Sequence, residues 1–267
     1  PWERDPAVYG RATVAGERET CEAEVVATLQ ELLEHRLAYR RSDGESLFDS
    51  ERNARVVAAA ERYYRFMYYG SRESWNLRDQ HMFDTLQSVM AHRGKSTRAV
   101  VWAHNTHVGD AAASEMGMRG EWNIGQLSRE AWGDAAYLIG FGTDHGTVAA
   151  ASDWDGPMAI KQVRPALADS YEHVFHQAEP SNLLLPLRHA TSEALLDGLR
   201  TPRLLRAIGV IYRPDTERVR HYIRTVLPRQ FDEYIWLDST SAVTPLGVAD
   251  LAGLPAGHPL HAAPLAA

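Results

Sequence analysis

His104, His107 and Asp110 recur at three-residue intervals and close the stretch Arg98 to Asp110 (RAVVWAHNTHVGD). Imidazole titrates near neutral pH, so it can take a proton from water or return one to a leaving alkoxide. Read as H-x-x-H-x-x-D, the same three residues offer the nitrogen and oxygen ligands of a hydrolytic zinc site. A third account makes both histidines structural, as caps of a strand end. Residues three apart face opposite ways in an extended strand but lie together in a helical turn. Asn105, Thr106 and Gly109 suggest such a turn, which would let the two rings converge.

Other chemistry finds less support. No G-x-S-x-G is present, so a serine nucleophile on a strained elbow is not indicated. Gly140, Gly142 and Gly146 (GFGTDHG) follow a strand-like run without the G-x-G-x-x-G that opens a nucleotide-binding helix. Cys21 sits in a helical run and reads as a packing residue. Glu115, in the loop EMGMRGE, could orient a substrate. Arg78 and Asp79 each stand one turn before an apolar residue, Met82 and Phe83, in line with the apolar stripe. Charges so placed either pair internally or face a polar pocket.

The elements that must hold these residues divide the chain. Helices are expected from Glu19 to Arg41, from about Asp49 to Tyr69 and from Ser74 to His92, with a break at Ser42-Asp43-Gly44. Short β-rich runs then alternate with helices. The expected strands are Ala99–Ala103, Ala136–Gly140, Thr147–Ala151, Leu183–Leu187, Ala207–Tyr212 and Glu233–Leu237. The expected helices are Ile124–Trp132, Ser170–Gln177, Glu193–Leu199 and Thr216–Val226. Asp169 with Glu172 has the spacing of a capping box. Pro186 cannot donate to a ladder and predicts an edge strand. This alternation predicts an α/β fold, a mostly parallel sheet flanked by helices. The expected organisation is a helical subdomain over 1–97, an α/β portion over 98–246 and a flexible tail or linker over 247–267. In such sheets ligands bind beyond the carboxyl ends of strands, which is where His104 and His107 would emerge.

Composition narrows the partners. A net charge of -7 argues against generic binding to nucleic acid or anionic membranes. No apolar run approaches the length of roughly 18 residues that reads as a membrane span. A single cysteine excludes an internal disulfide and fits a reducing compartment, so a cytoplasmic location is expected.

From Tyr63 to about Leu246 the chain resembles the erythromycin esterase family. The resemblance rests on YYRFMYYG (Tyr63–Gly70), SWNLRD (Ser74–Asp79), VVWAHNTHVGD (Val100–Asp110), EMG (Glu115–Gly117), GQL (Gly125–Leu127), GTVAAASDWDGP (Gly146–Pro157) and AIGVIYRP (Ala207–Pro214). It implies hydrolysis of a carboxylic ester or macrolide lactone by water that a histidine activates, with no cofactor. The implied partner is a small-molecule ester or lactone. The family is broad, so an esterase-like hydrolase is expected rather than a macrolide-resistance enzyme in particular. The family's principal histidine lies in a G-E-x-x-H-G motif near its N-terminus, and no G-E-x-x-H occurs in this sequence. The chain is therefore expected to be a C-terminal portion, inactive or weakly active by itself. His104 and His107 match the family's second histidine pair and are its expected catalytic residues here, orienting or polarising water and substrate. Asn105, Asp110, Glu115 and Arg78 are the expected substrate-binding residues. The alternative is a non-catalytic metal- or cofactor-binding module using His104 and His107, with Asp110 as a third ligand.

Overall fold

The computed structural model describes residues 6–34, 44–68, 71–154, 156–178, 180–189 and 192–244. The tail expected over 247–267 lies outside these residues, as do 35–41 of the first long helix and the Ser42-Asp43 break.

Among the described residues four helices come first: α1 (Pro6–Val14), α2 (Glu22–Glu34), α3 (Gly44–Phe66) and α4 (Ser71–Arg93). Polar contacts bind α1 and α2 to α3. Tyr9 donates to Glu61 Oε1 at 2.7 Å, and Arg65 reaches Glu22 at 3.0 Å. His92 stacks on Phe48 at 4.0 Å and joins the ends of α3 and α4. Short helices follow: α5 (Asn105–Val108), α6 (Glu115–Met118) and α7 (Ile124–Trp132). α7 begins where the Asn123 side chain accepts the Gln126 N–H, and ends at Gly133, whose φ of 52° suits glycine. Phe83 of α4 meets Trp132 of α7 at 5.3 Å. Asn76 of α4 clamps the connection before α7, donating to the Gly120 carbonyl and accepting the Trp122 N–H.

The remaining chain builds three small sheets. Its strands are β1 (Ile139–Gly142), β2 (His145–Ala150), β3 (Ala159–Val163), β4 (Asn182–Pro186), β5 (Arg203–Arg206), β6 (Tyr222–Thr225), β7 (Glu233–Leu237) and β8 (Ser239–Thr240). Its helices are α8 (Tyr171–His176), α9 (Glu193–Leu199), α10 (Glu217–Arg220) and α11 (Leu227–Gln230). One sheet runs β1-β7-β4, with β1 parallel and β4 antiparallel to β7. A second runs β3-β2-β8, and β5 pairs antiparallel with β6. The main apolar cluster joins Tyr234 and Trp236 of β7 to Tyr171 and Phe175 of α8, with Leu227 and Phe231 beneath. Each such side chain stabilises the fold by about 1.5–3 kcal/mol on burial. Asp232 is buried at the foot of β7 and accepts from Arg129, Arg188 and the Leu138 N–H.

Several expectations change. The fold is α/β, but its sheets are mixed, so a mostly parallel sheet is not what forms. Ala99–Ala103 is extended without a ladder, because no described strand runs beside it; Val100 and Trp102 are 93% and 85% exposed. Within Ala207–Tyr212 only an isolated bridge forms, Ile211 to Ala151; the ladder belongs to the preceding β5. Thr216–Val226 is not one helix, since Tyr222–Thr225 leaves the helical path to pair with β5. The cap of α8 is Ser170, which accepts the His173 N–H, while Asp169 turns outward to Arg218. Glu172 contacts the Ser170 side chain rather than pairing with Asp169, and accepts the Arg206 N–H at 2.7 Å. Pro186 ends the edge strand β4, as its missing N–H requires.

Candidate functional site

α5 is a single turn, and its surroundings hold it in place. Asn123 is fully buried and donates to the carbonyls of Thr106 and Gly109, both at 2.7 Å. Gly125 allows α7 to approach: a Cβ there would lie 2.4 Å from the carbonyl oxygens of Val108 and Gly109. Asp110 accepts the Ala112 N–H and caps the next turn. Its carboxyl is pushed up by burial, against the opposing pull of that N–H and of Arg129.

His107 points from this turn to α4. Its Nδ1 lies 2.8 and 3.1 Å from the two oxygens of Asp79, which is fully buried. A carboxylate only accepts, so Nδ1 carries the proton and Nε2 is left with a lone pair. Arg78 Nη2 stands 3.4 Å from Nε2. Trp75 stacks parallel to the imidazole at 4.7 Å, and the Arg78 guanidinium lies 4.8 Å from the Trp75 ring centre. The N-terminal amide of α7, from Ile124, also donates to Asp79 at 3.3 Å, where the helix end favours negative charge. Arg78 and Asp79 themselves are only marginally paired, at 4.0 Å.

His104 has different work. Its Nδ1 accepts from the Thr106 N–H at 3.3 Å and lies 2.9 Å from the Thr106 hydroxyl, capping α5. The ring proton is therefore on Nε2, which donates to the Ile208 carbonyl at 2.8 Å. Burial pushes the imidazole pKa down, the Ile208 carbonyl opposes, and the neighbouring His107 lowers it further. Both nitrogens of a neutral ring are occupied. Asn105 is likewise engaged: its amide donates to the Phe141 carbonyl and accepts the Phe141 N–H, holding α5 to β1. Glu115 accepts the Arg224 N–H at 3.2 Å.

The expected site residues thus share one region but do not share one task. His107 and Arg78 come together, whereas His104, Asn105, Asp110 and Glu115 are each engaged by backbone groups. Among the described residues, His104, His107 and Asp110 do not form a group of converging ligand atoms. A cleft of about 1260 Å3 passes His104 and Asn105, bounded by Trp102, Leu138, Phe141 and Ile208. His107, Asp79 and Arg78 do not line it. Its charged lining comes from Arg98, Glu172 and Arg206, and burial pushes the Glu172 carboxyl up to about 7.

A model of the erythromycin esterase family matches residues 1–240. The chain belongs to that family. Three solved structures share its fold. A Bacillus cereus protein is 19% identical, with a TM-score of 0.67, over 81% of this chain and 52% of that one. A succinoglycan biosynthesis protein is 18% identical, with a TM-score of 0.55, over 82% and 58%. A variant of the erythromycin esterase EreC, with a histidine replaced by asparagine and in its open conformation, is 17% identical. Its TM-score is 0.57 over 88% and 56%. The chain spans little more than half the length of these structures. At such identities they establish the fold and nothing finer. The erythromycin esterase family fold here brings Trp75 and Asp79 to His107, which sequence reasoning did not anticipate. A signal existed: Trp75, Arg78 and Asp79 stand at i, i+3 and i+4, one face of α4.

Proposed function

We propose that the chain provides part of a site that hydrolyses a carboxylic ester or lactone, with His107 as its proton-transfer group, beside the cleft that passes His104 rather than in its lining. The reading rests on one observation: Asp79 stands 2.8 Å from His107 Nδ1 and Arg78 3.4 Å from Nε2, an arrangement in which Nδ1 donates to the carboxylate and Nε2 is the base. In this scheme water attacks the carbonyl carbon and gives its proton to Nε2. The oxygen that becomes negative faces Arg78, a donor that cannot lose its charge. When the C–O bond breaks, Nε2 returns the proton to the leaving alkoxide. Asp79 stays ionised and stabilises the transient imidazolium, as a carboxylate does in hydrolytic triads. α4 belongs to the helical subdomain of residues 1–97 and α5 to the α/β portion from 98 to 246, so the pair joins both. His104, by this account, shapes the turn that aims His107.

The sequence holds no G-E-x-x-H, the motif in which the family resemblance locates the principal base. Turnover by this chain is therefore slow, and a macrolide lactone is a poorer substrate for it than an activated ester. The decisive assay follows an activated phenyl ester with the wild type, His107→Asn and Asp79→Asn. A measurable rate that falls to background in both variants supports the scheme. Equal rates in all three would remove His107 from the chemistry. The competing metal-binding account through His104, His107 and Asp110 receives no support from the geometry, because both His104 nitrogens are already engaged.

A further inference from the structure

Three ligand-type side chains converge elsewhere, with a fourth, Asp238, against one of them, and none takes part in the hydrolytic scheme. Asp144 lies in the turn between β1 and β2, His145 opens β2, His176 ends α8 and Asp238 follows β7. His145 Nδ1 is 3.1 Å from Asp144 Oδ2. His176 Nδ1 is 3.8 Å from the same oxygen and 2.6 Å from Asp238 Oδ1. The donor atoms of Asp144, His145 and His176 all fall within 4.8 Å of one another. Two ligands on a tetrahedral zinc, with bonds of about 2.1 Å, sit about 3.4 Å apart. That separation falls between the two distances that Asp144 makes with the imidazoles.

The surroundings hold these groups in place. Asp144 is buried, and its second oxygen accepts the Ala166 N–H at 3.0 Å, which turns Oδ2 toward the histidines. The N–H groups of Asp144 and His145 both donate to the Asp238 carbonyl at 3.2 Å. The backbones of three of the four residues are thus tied to one another. Contacts that orient ligands in this way strengthen metal binding. Charge agrees: a carboxylate lies on each side of His176, and among the described residues no lysine or arginine bridges either one. The histidines are only partly covered, so an ion has a path inward. As plain surface ion pairs these contacts would contribute little.

We propose that Asp144, His145, His176 and Asp238 form a divalent-metal site, with zinc its best-matched ion, that staples the β1–β2 turn to the ends of α8 and β7. Two imidazoles and two carboxylates suit zinc in both ligand type and number. Each histidine binds through Nδ1 and keeps its remaining proton on Nε2.

Equilibrium dialysis of the full chain against zinc chloride, paired with thermal melting, tests this. The expected result is one zinc per chain and a Tm rise of about 5 °C at hundredfold excess over Kd. Both effects disappear in His145→Ala and in His176→Ala, and both persist in His107→Asn. Should an alanine variant fail to fold without metal, Asp238→Asn serves instead, with an expected loss of tenfold or more in zinc affinity. No binding at millimolar zinc overturns the site. So does zinc that survives all three substitutions, or that leaves with His107→Asn.

Discussion

His104 and His107 stand three positions apart in the same turn, yet their nitrogens meet opposite kinds of partner. Around His104 the partners come from the backbone and a hydroxyl: the Thr106 N–H and Oγ1 on one nitrogen, the Ile208 carbonyl on the other. Around His107 they are charged side chains from α4, a carboxylate on Nδ1 and a guanidinium near Nε2. A neutral ring with both nitrogens spent holds structure together. A ring with its proton pinned and one basic nitrogen beside a fixed cation can move protons. Residue type and spacing make the two histidines look equivalent, and the third-dimension partners divide their work.

Exchanging the roles experimentally is the strongest way to break this contrast. His107→Asn should lower activated-ester hydrolysis by about 100-fold or more, the scale of a lost general base. Its melting temperature should change little. His104→Asn should do the reverse, retaining the rate per folded molecule while melting earlier. Steady-state rates paired with calorimetry decide it, and a larger activity loss at His104 would reverse the assignment. Asp79→Ala comes next. It strands the His107 Nδ1–H and the buried Ile124 N–H, at an expected cost of about 2–3 kcal/mol in denaturant unfolding. A change below about 0.5 kcal/mol would mean that water replaces the carboxylate readily. Smaller again is Asn105→Ala, which loses the paired contacts to Phe141 and should cost about 1–2 kcal/mol. Equal stability would show that β1 does not anchor the turn.

The same contrast explains what the sequence disclosed. α7 was legible from Ile124 to Trp132 because a local apolar period is bounded by a capping asparagine and a glycine stop. β7 was legible because its run of aromatic and apolar residues is local too, and Pro186 announced an edge. The VVWA run has strand composition, but a ladder also needs a neighbour, and none of the described strands supplies one. Tyr222–Thr225 follows a helical stretch without a breaker, so only its partner β5 reveals it as a strand. In the site, the i, i+3, i+4 spacing of Trp75, Arg78 and Asp79 announced a shared face. Nothing local announced that His107, 28 residues beyond Asp79, would meet it. The Ile208 carbonyl that occupies His104 lies 104 residues away, beyond any reading of spacing.

The least of these effects is a pH dependence that separates His104 from its neighbour. Burial lowers its pKa in the folded protein below the ordinary value of 6.5. Between that lowered value and 6.5 the unfolded chain binds a proton at this position and the folded chain does not. Stability therefore rises with pH across the window, is complete above about 6.5 and is lost as the solution is acidified. His81 and His221 are lowered by burial in the same sense, so the wild type alone cannot isolate the contribution. The informative quantity is the stability difference between wild type and His104→Gln, which keeps a donor for Ile208 but cannot titrate. That difference should move in favour of the glutamine variant as the pH falls from 7 to 5. A difference that stays flat over that interval would mean that the folded ring takes up its proton as easily as a free one, and that the Ile208 carbonyl fully offsets the burial of His104.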